Sequence, residues 1–366
     1  MKKNSIQFIS PLDGDMLHAY DGIMGGGSLQ IAVKISAPVD SLIRVNGVQA
    51  SWKNGIFTAR LRLTEYKNII EAVDEATGER NCIAVYSLPG FAGKYRLSID
   101  DNIWFLRDIG EHTDTYNSLF DNPYLSFLRE VHDSYDTKIH LNIFYQTEGF
   151  DLSQMSDKFR AEWRQNADWL RLSFHALGEF PDKPYQHAGY EAVKKDCELV
   201  MKEIRRFAGE EVMGPMTTLH WGAATVEGSR ALRDCGYVAQ LGYFNVDDEL
   251  PAVSYYLSVE ERRHIKKRFI WRDNREGIIF VRSSIVIDKT DLDRIVPYLD
   301  SYAQGPGKPP YLDLLVHEQY FYPFYEAYQP DFRERVLTAV EWAGGNGYTP
   351  AFLSDCIFDE KDNKDR

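Results

Sequence analysis

The chain of 366 residues has only four cysteines, Cys82, Cys197, Cys235 and Cys356, and none stands in CxxC spacing. That argues against a zinc knuckle or a disulfide scaffold and leaves ordinary buried thiols. No apolar run approaches the length of a membrane span. Met1-Lys-Lys-Asn-Ser5 carries two lysines with no apolar stretch behind them, so no signal peptide is expected. A cytoplasmic protein is the simple inference, although a chain trimmed of its signal would read the same. Positive charge is the minority: 42 Lys and Arg stand against 55 Asp and Glu, a net charge of -13. Neither nucleic acid nor an anionic membrane offers the counter-charge such a chain needs, so neither is expected as a partner. A neutral or cationic substrate is compatible. There is no internal repeat and no low-complexity tract.

What is present is apolar and aromatic. Hydrophobic residues make up 44% of the chain, enough for a sizeable core. Aromatics are 13%, with 22 Tyr and 20 Phe; core packing is their commoner use, and stacking on sugar rings the other. Residues 1–88 alternate with period two, as in Leu29-Gln-Ile-Ala-Val-Lys-Ile35 and Phe57-Thr-Ala-Arg-Leu-Arg-Leu63. Turn signals recur between such runs at Asp13-Gly14, Asn46-Gly47, Asn54-Gly55 and Thr77-Gly78. Short strands with frequent turns predict a β-sandwich. The segments Ile9-Ser-Pro-Leu-Asp-Gly14, Val45-Asn-Gly-Val48 and Asn54-Gly-Ile-Phe57 resemble immunoglobulin-like modules appended to carbohydrate-active enzymes. The resemblance implies an accessory domain without catalytic groups.

Ser87-Leu-Pro-Gly-Phe-Ala-Gly93 reads as a connector, and a second domain is expected over 94–358. There strand-like and helical runs alternate. The strand-like runs are Tyr95–Ile99, Lys138–Tyr145, Trp169–Phe174, Met216–Trp221, Gly277–Ile287 and Tyr311–His317. The helical ones are Tyr124–Val131, Phe159–Trp169, Tyr190–Phe207, Val226–Cys235 and Phe332–Ala343. Alternation of this kind means a parallel sheet or a (β/α) barrel, an α/β fold. The charged tail Asp359–Arg366 is expected to fray.

Four of the strands end in polar chemistry: Asp100-Asp101, His175-Ala-Leu-Gly-Glu179, His220-Trp221 and His317-Glu318. In a barrel with parallel strands these tips converge on one rim. Adjacent carboxylates repel unless a cation or a shared proton relieves them, which suggests a metal site. The alternative for Asp100-Asp101 is a helix N-cap, since Asp caps well.

The set resembles the polysaccharide deacetylases of the NodB-homology type, over residues 95–355. Ser98-Ile-Asp-Asp-Asn102 is similar to that family's opening motif, and the resemblance makes Asp100 the general base and Asp101 a metal ligand. It makes His175 the second ligand, with Glu179 where the family has a second histidine; Asp182 and His187 are substitutes for that third place. Leu314-Leu-Val-His317 fits the closing motif, making His317 the general acid. Thr218-Leu-His-Trp-Gly222 keeps the Trp-Gly of a further motif but lacks its base-orienting Arg; His220 and Arg282 are the candidates to compensate for it. Trp221 and the Tyr320-Phe-Tyr322 run are candidates for a sugar-binding groove, and Glu318 is a further polar candidate. The implied activity is hydrolysis of an N- or O-linked acetyl group from a carbohydrate, with one divalent metal, zinc first, and no organic cofactor. Two alternatives stand beside it: a glycoside hydrolase on the same scaffold, with a carboxylate pair cutting the glycosidic bond, and a non-catalytic carbohydrate-binding protein.

Overall fold

A computed structural model describes residues 5–246, 254–303 and 308–358; the expectation for the tail Asp359–Arg366 lies outside them. The chain divides into two compact units. The first comprises residues 1–92, the excursion Ile270–Gly277 and the stretch from Cys356. The second comprises Gly93–Phe269 and Ile278–Asp355. Sequence patterning assigned Ile270–Gly277 to the second domain, because an eight-residue excursion carries no periodicity of its own.

In the first unit two five-stranded sheets face each other. One orders Gln7–Ser10, Ser28–Ser36, Ile56–Leu63 and Ser51–Lys53, with Ile23–Gly25 also on Ser28–Ser36. The other orders Met16–Leu17, Arg80–Ser87, Lys67–Asp74, Ile43–Val45 and Val48–Gln49. Along Ser28–Ser36, Leu29, Ile31, Val33 and Ile35 point inward and Gln30, Lys34 and Ser36 outward, so period two becomes one buried face. These residues share a core with Ile43, Val45, Ile70 and Val85 of the facing sheet. Two hairpins turn on Asn46-Gly47 and Asn54-Gly55, where all four residues have positive φ, as a two-residue loop between twisted strands requires. The excursion is tied in by Arg272 N–H to the Gly14 carbonyl at 2.9 Å and by Trp271 Nε1–H to the Asp13 carbonyl at 2.8 Å. Gly14 must be glycine here: its φ is 82°, and a Cβ would lie 1.9 Å from the Arg272 carbonyl oxygen.

The second unit is mixed α/β with parallel sheets. Strands Leu170–Ala176, Ile139–Phe144, Lys94–Asn102, Tyr311–His317 and Ile285–Val286 lie side by side in that order, all parallel. Met216–Thr217, Ala239–Gly242 and Ile278–Arg282 form a second parallel run. An isolated parallel bridge joins Leu172 of the first run to Met213, three residues before Met216–Thr217. The chain returns to the first run directly from Arg282 to Ile285. The strand expected to be continuous from Gly277 to Ile287 is thus broken at Ser283-Ser284, where Ser283 Oγ–H donates to Asp313 at 2.7 Å and Ser284 N–H to the Asp313 carbonyl. Arg96, almost wholly buried, donates to the other oxygen of Asp313 at 2.8 Å. Crossover helices pack outside. Tyr190–Phe207 buries Val193, Cys197, Val200, Met201, Ile204 and Phe207, the stripe read from the sequence. No helix among the described residues is long and apolar enough to cross a membrane.

Candidate metal centre

Lys94–Asn102 carries the paired carboxylates. Asp100 is the register partner of His317 on the adjacent strand, so residues 217 positions apart in sequence meet at one sheet end. On an unbroken strand consecutive side chains point to opposite faces, and Asp100 and Asp101 would diverge. Here the ladder to Ile139–Phe144 slips between Ile99 and Asn102, and Asp101 sits at φ 63°. Asp tolerates this left-handed conformation better than most residues, and a bulge re-aims the side chains around it. Both carboxylates therefore line one cavity of about 880 Å³.

The N-cap alternative for the pair fails on this geometry. Helix Trp104–Glu111 begins after Ile103, which makes no side-chain cap. The free N–H groups of Ile103, Trp104 and Phe105 donate instead to Glu318, at 2.6, 3.0 and 2.6 Å. Glu318 thus ties the helix start to the end of the Tyr311–His317 strand. It is fully buried and does not line the cavity.

Around Asp101 stand two histidines whose tautomers are set by the main chain. His175 donates from Nδ1 to the Thr218 carbonyl. His220, in the short turn His220–Gly222 rather than on the expected strand end, donates from Nε2 to the Glu179 carbonyl at 3.0 Å. The remaining nitrogens, His175 Nε2 and His220 Nδ1, carry lone pairs that face each other at 3.1 Å. They lie 2.9 and 3.1 Å from Asp101 Oδ1. Two lone pairs and a carboxylate oxygen turned on one point repel unless a cation lies between them. A tetrahedral ion with bonds of about 2.0–2.1 Å needs ligand atoms roughly 3.3 Å apart, close to these separations. The donor set fits a metal. Phe144 packs on both rings, with centroids 5.1 Å from His175 and 5.0 Å from His220, and limits their rotation. Burial works against the charge on Asp101, but the close approach of the His175 and His220 rings, with His317 nearby, holds its carboxyl well below the ordinary range.

Asp100 differs. Burial pushes its carboxyl up to about 6, against the pull of His175 and His317. Asn142, on the neighbouring strand, donates from Nδ2 to Asp100 Oδ1 at 2.7 Å, and its own Oδ1 accepts from Thr218 N–H at 3.3 Å. Asn142 therefore fixes the carboxylate that lacks an Arg partner. Its sequence signal was slight, a lone Asn inside an apolar strand. His317 Nδ1 lies 3.0 and 3.1 Å from the two oxygens of buried Asp288. Burial favours the neutral ring, yet Asp288 outweighs it and the imidazole is pushed up to about 10. Asp288 was also missed; nothing marks it in the sequence except its place just after Ile285-Val-Ile287.

The other expected residues are dispersed. The Glu179 side chain is not part of the donor group, which takes only the main-chain carbonyl of that residue; its carboxyl lines the cavity. His187 is exposed and borders neither the group nor the cavity. Asp182 and Trp221 line the cavity. Arg282 ends its strand and turns away, donating to the Lys266 carbonyl at 2.6 Å and to Tyr302 Oη at 2.7 Å. It cannot orient Asp100. Of the aromatic run, Tyr320 reaches the cavity while Phe321 packs against Tyr124, Phe127 and Phe332.

No protein-family model and no curated protein matches the sequence. A solved structure from Mycobacterium smegmatis, provisionally described as a polysaccharide deacetylase, superposes with a TM-score of 0.40 at 10% identity, over 74% of this chain and 92% of that one. One from Bacteroides fragilis, provisionally described as an alpha-galactosidase, gives 0.28 at 9% identity, over 94% of this chain and 79% of the other. Both likenesses are too distant to assign an activity, so the site is read from its own geometry.

Proposed function

We propose that the protein is a metal-dependent hydrolase that removes N- or O-linked acetyl groups from a carbohydrate. The carrying observation is the convergence of Asp101 Oδ1, His175 Nε2 and His220 Nδ1 within 3.1 Å of one another, beside Asp100 and at the rim that holds His317. In this reading the two parallel runs are a distorted barrel of the deacetylase type, and the first unit is an immunoglobulin-like accessory module.

Asp101, His175 and His220 would hold one divalent ion, zinc first. Bound there, such an ion supplies a water acidified towards neutrality and polarises the acyl oxygen. Asp100, held by Asn142, takes the water's proton as general base. His317 gives a proton to the departing nitrogen or oxygen, and Asp288 keeps that imidazole charged until it is needed. The acetyl carbon–heteroatom bond breaks and acetate leaves with the water's oxygen. The aromatic wall of Trp221, Tyr320 and Tyr325 is suited to the faces of sugar rings.

The test is acetate release from a panel of acetylated glycans, with metal content measured on the same preparation. Acetate that appears only with the metal bound supports the reading. New reducing ends without acetate would replace it with a glycosidase, and neither product from a metal-loaded protein would leave a binding protein.

A further inference from the structure

The first unit has a cavity of its own, about 310 Å³, on the outer face of the sheet that holds Lys67–Asp74 and Arg80–Ser87. Small-molecule sites span ~300–1,000 Å³, so it has room for one small ring. Its floor follows from period two. Ile70, Ala72 and Val85 turn to the core, so Lys67, Ile69, Ala84 and Tyr86 turn outward, with Tyr86 opposite Lys67 and Ala84 opposite Ile69. Its wall is the excursion Ile270–Gly277, which brings Arg272 and Asn274 to the same place. All of these residues belong to the first unit and none to the metal centre.

Two positive side chains border this cavity without a partner. Neither Lys67 nor Arg272 makes a hydrogen bond or ion pair with its side chain among the described residues. Arg272 is nevertheless held in place. Its main-chain N–H is bonded to the Gly14 carbonyl, and its guanidinium lies over the Tyr86 ring at 5.1 Å. Stacking occupies a face of the guanidinium and leaves its edge of N–H donors to a ligand. The Tyr86 ring is fixed in turn. Its hydroxyl donates to Asn274 Oδ1 at 2.8 Å, and Asn274 Nδ2 donates to Asp13 Oδ1 at 2.9 Å. Asp13 Oδ1 also accepts from Ala84 N–H at 2.8 Å. Tyr86, Asn274 and Asp13 thus satisfy one another, and the two cations are left over. Lys67 and Arg272 against Asp13 make a net charge of +1 at the cavity. That balances a carboxylate, whereas a phosphate group carries about -1.5 to -2. Ile69, 54% exposed, and Ala84 beside it offer an apolar surface on which a ring can lie.

We propose that the first unit binds a small molecule whose single carboxylate is carried on a ring. The carboxylate bridges the Arg272 guanidinium edge and the Lys67 ammonium, and the ring lies on Ile69 and Ala84. An aromatic acid and an acidic sugar share this chemistry. The site shares no residue with the metal centre, so the inference does not rest on the hydrolase reading.

The experiment titrates the full chain calorimetrically with benzoate, glucuronate, acetate, glucose and inorganic phosphate. At least one ring acid is expected to bind with a dissociation constant of about 1 mM or tighter, and roughly tenfold more tightly than the other three probes. Benzoate alone identifies an aromatic acid as the source and glucuronate alone an acidic sugar; either result supports the site. Arg272→Gln should weaken binding by about tenfold or more, and Lys67→Gln, at an exposed position, by about threefold. Arg272→Lys should recover only part of the loss, because the fork of donors is gone. Cys82 is an exposed free thiol at this cavity, so saturating ring acid should slow its modification by a thiol reagent. Should Arg272→Gln fail to fold, Lys67→Gln and the Cys82 protection decide. No ring acid bound at about 10 mM, phosphate bound as tightly as the ring acids, or full affinity in the glutamine variants overturns the proposal. Binding that leaves the modification of Cys82 unchanged lies elsewhere and overturns it too. Acetate release and metal content are untouched by any of these outcomes, so the hydrolase reading stands or falls separately.

Discussion

Asp288→Asn isolates the charge that holds the His317 proton. The substitution keeps the size of the side chain and an oxygen that can accept the His317 N–H, now bonded at 3.0 Å, but removes the carboxylate that faces Nδ1 at 3.0 and 3.1 Å. In the native protein burial lowers the imidazole and Asp288 raises it, with a net position of about 10. Without Asp288 it should fall towards the ordinary value of about 6.5, since burial then acts against Asp100 and Asp101 alone. At pH 8 the protonated fraction drops from about 99% towards a limit of about 3%, so an acid-dependent step should slow by up to roughly 30-fold. The same variant should lose little at pH 5.5, where the ring is still charged. A pH profile of kcat/KM between 5 and 10.5 reads this as an alkaline limb moved inward by about three units. An imidazole NMR titration reads it without any substrate. Stability follows the same sign. A raised imidazole stabilises the fold fully below about 6.5 and progressively less as pH rises to about 10, so wild type should lose stability over that window and Asp288→Asn should not. An alkaline limb and an NMR midpoint within half a unit of wild type would refute the argument.

Further outcomes can be checked independently. His220→Ala should strip most of the metal, as should Asp101→Ala and His175→Ala, whereas Glu179→Ala should retain it; metal analysis after dialysis decides, and retention in the His220 variant would sink the donor set. Asn142→Leu should lower kcat with little change in KM, by about 10- to 100-fold, because it frees the base without touching the cavity wall; an unchanged kcat would make Asn142 a packing residue only. Glu318→Gln should destabilise the protein by about 1–3 kcal/mol in chemical denaturation. Its Oε2 accepts from two main-chain N–H groups and its Oε1 from another, so an amide meets an N–H whichever way it turns. Gly14→Ala should cost at least about 1 kcal/mol through its positive φ and the Arg272 carbonyl; native stability in that variant would contradict the local geometry.

Much of the fold could be read in advance where one periodicity dominates. Tyr190–Phe207 and Tyr311–His317 run as expected because each has one buried face or a wholly buried run, with clear stops. Helix Val259–Arg268 escaped notice because only Ile265 among its described residues is buried, so there is no apolar stripe to see. The cue that was available is its cap, where Ser258 Oγ accepts from Glu261 N–H and the Glu261 carboxylate from Ser258 N–H. Leu292–Ala303 carries Pro297 inside it, which argues locally against a helix, yet Ile295 and Leu299 hold it to the core. The metal group was half legible. Asp101 and His175 follow from strand ends, but the geometry that aims Asp101 beside Asp100 is a bulge, and no residue type announces a bulge other than glycine.

The donor set and the partner of Asp100 are physically coupled. Glu179, four residues after His175, keeps its side chain out of the donor group. His220 fills the donor place from the turn His220–Gly222, where Trp221 and Gly222 both take positive φ to bring the ring inward. A segment that folds inward to deliver an imidazole leaves the carboxylate to be held from elsewhere, and the nearest main-chain neighbour of Lys94–Asn102 on that side is the strand of Asn142. An amide there can donate to Asp100 and accept from Thr218 N–H at once, so one side chain ties the base to the segment that carries His220. Asp100 is thus oriented by a neutral donor. Burial raises the Asp100 carboxyl to about 6, and Asn142, a neutral donor, offsets only part of that rise.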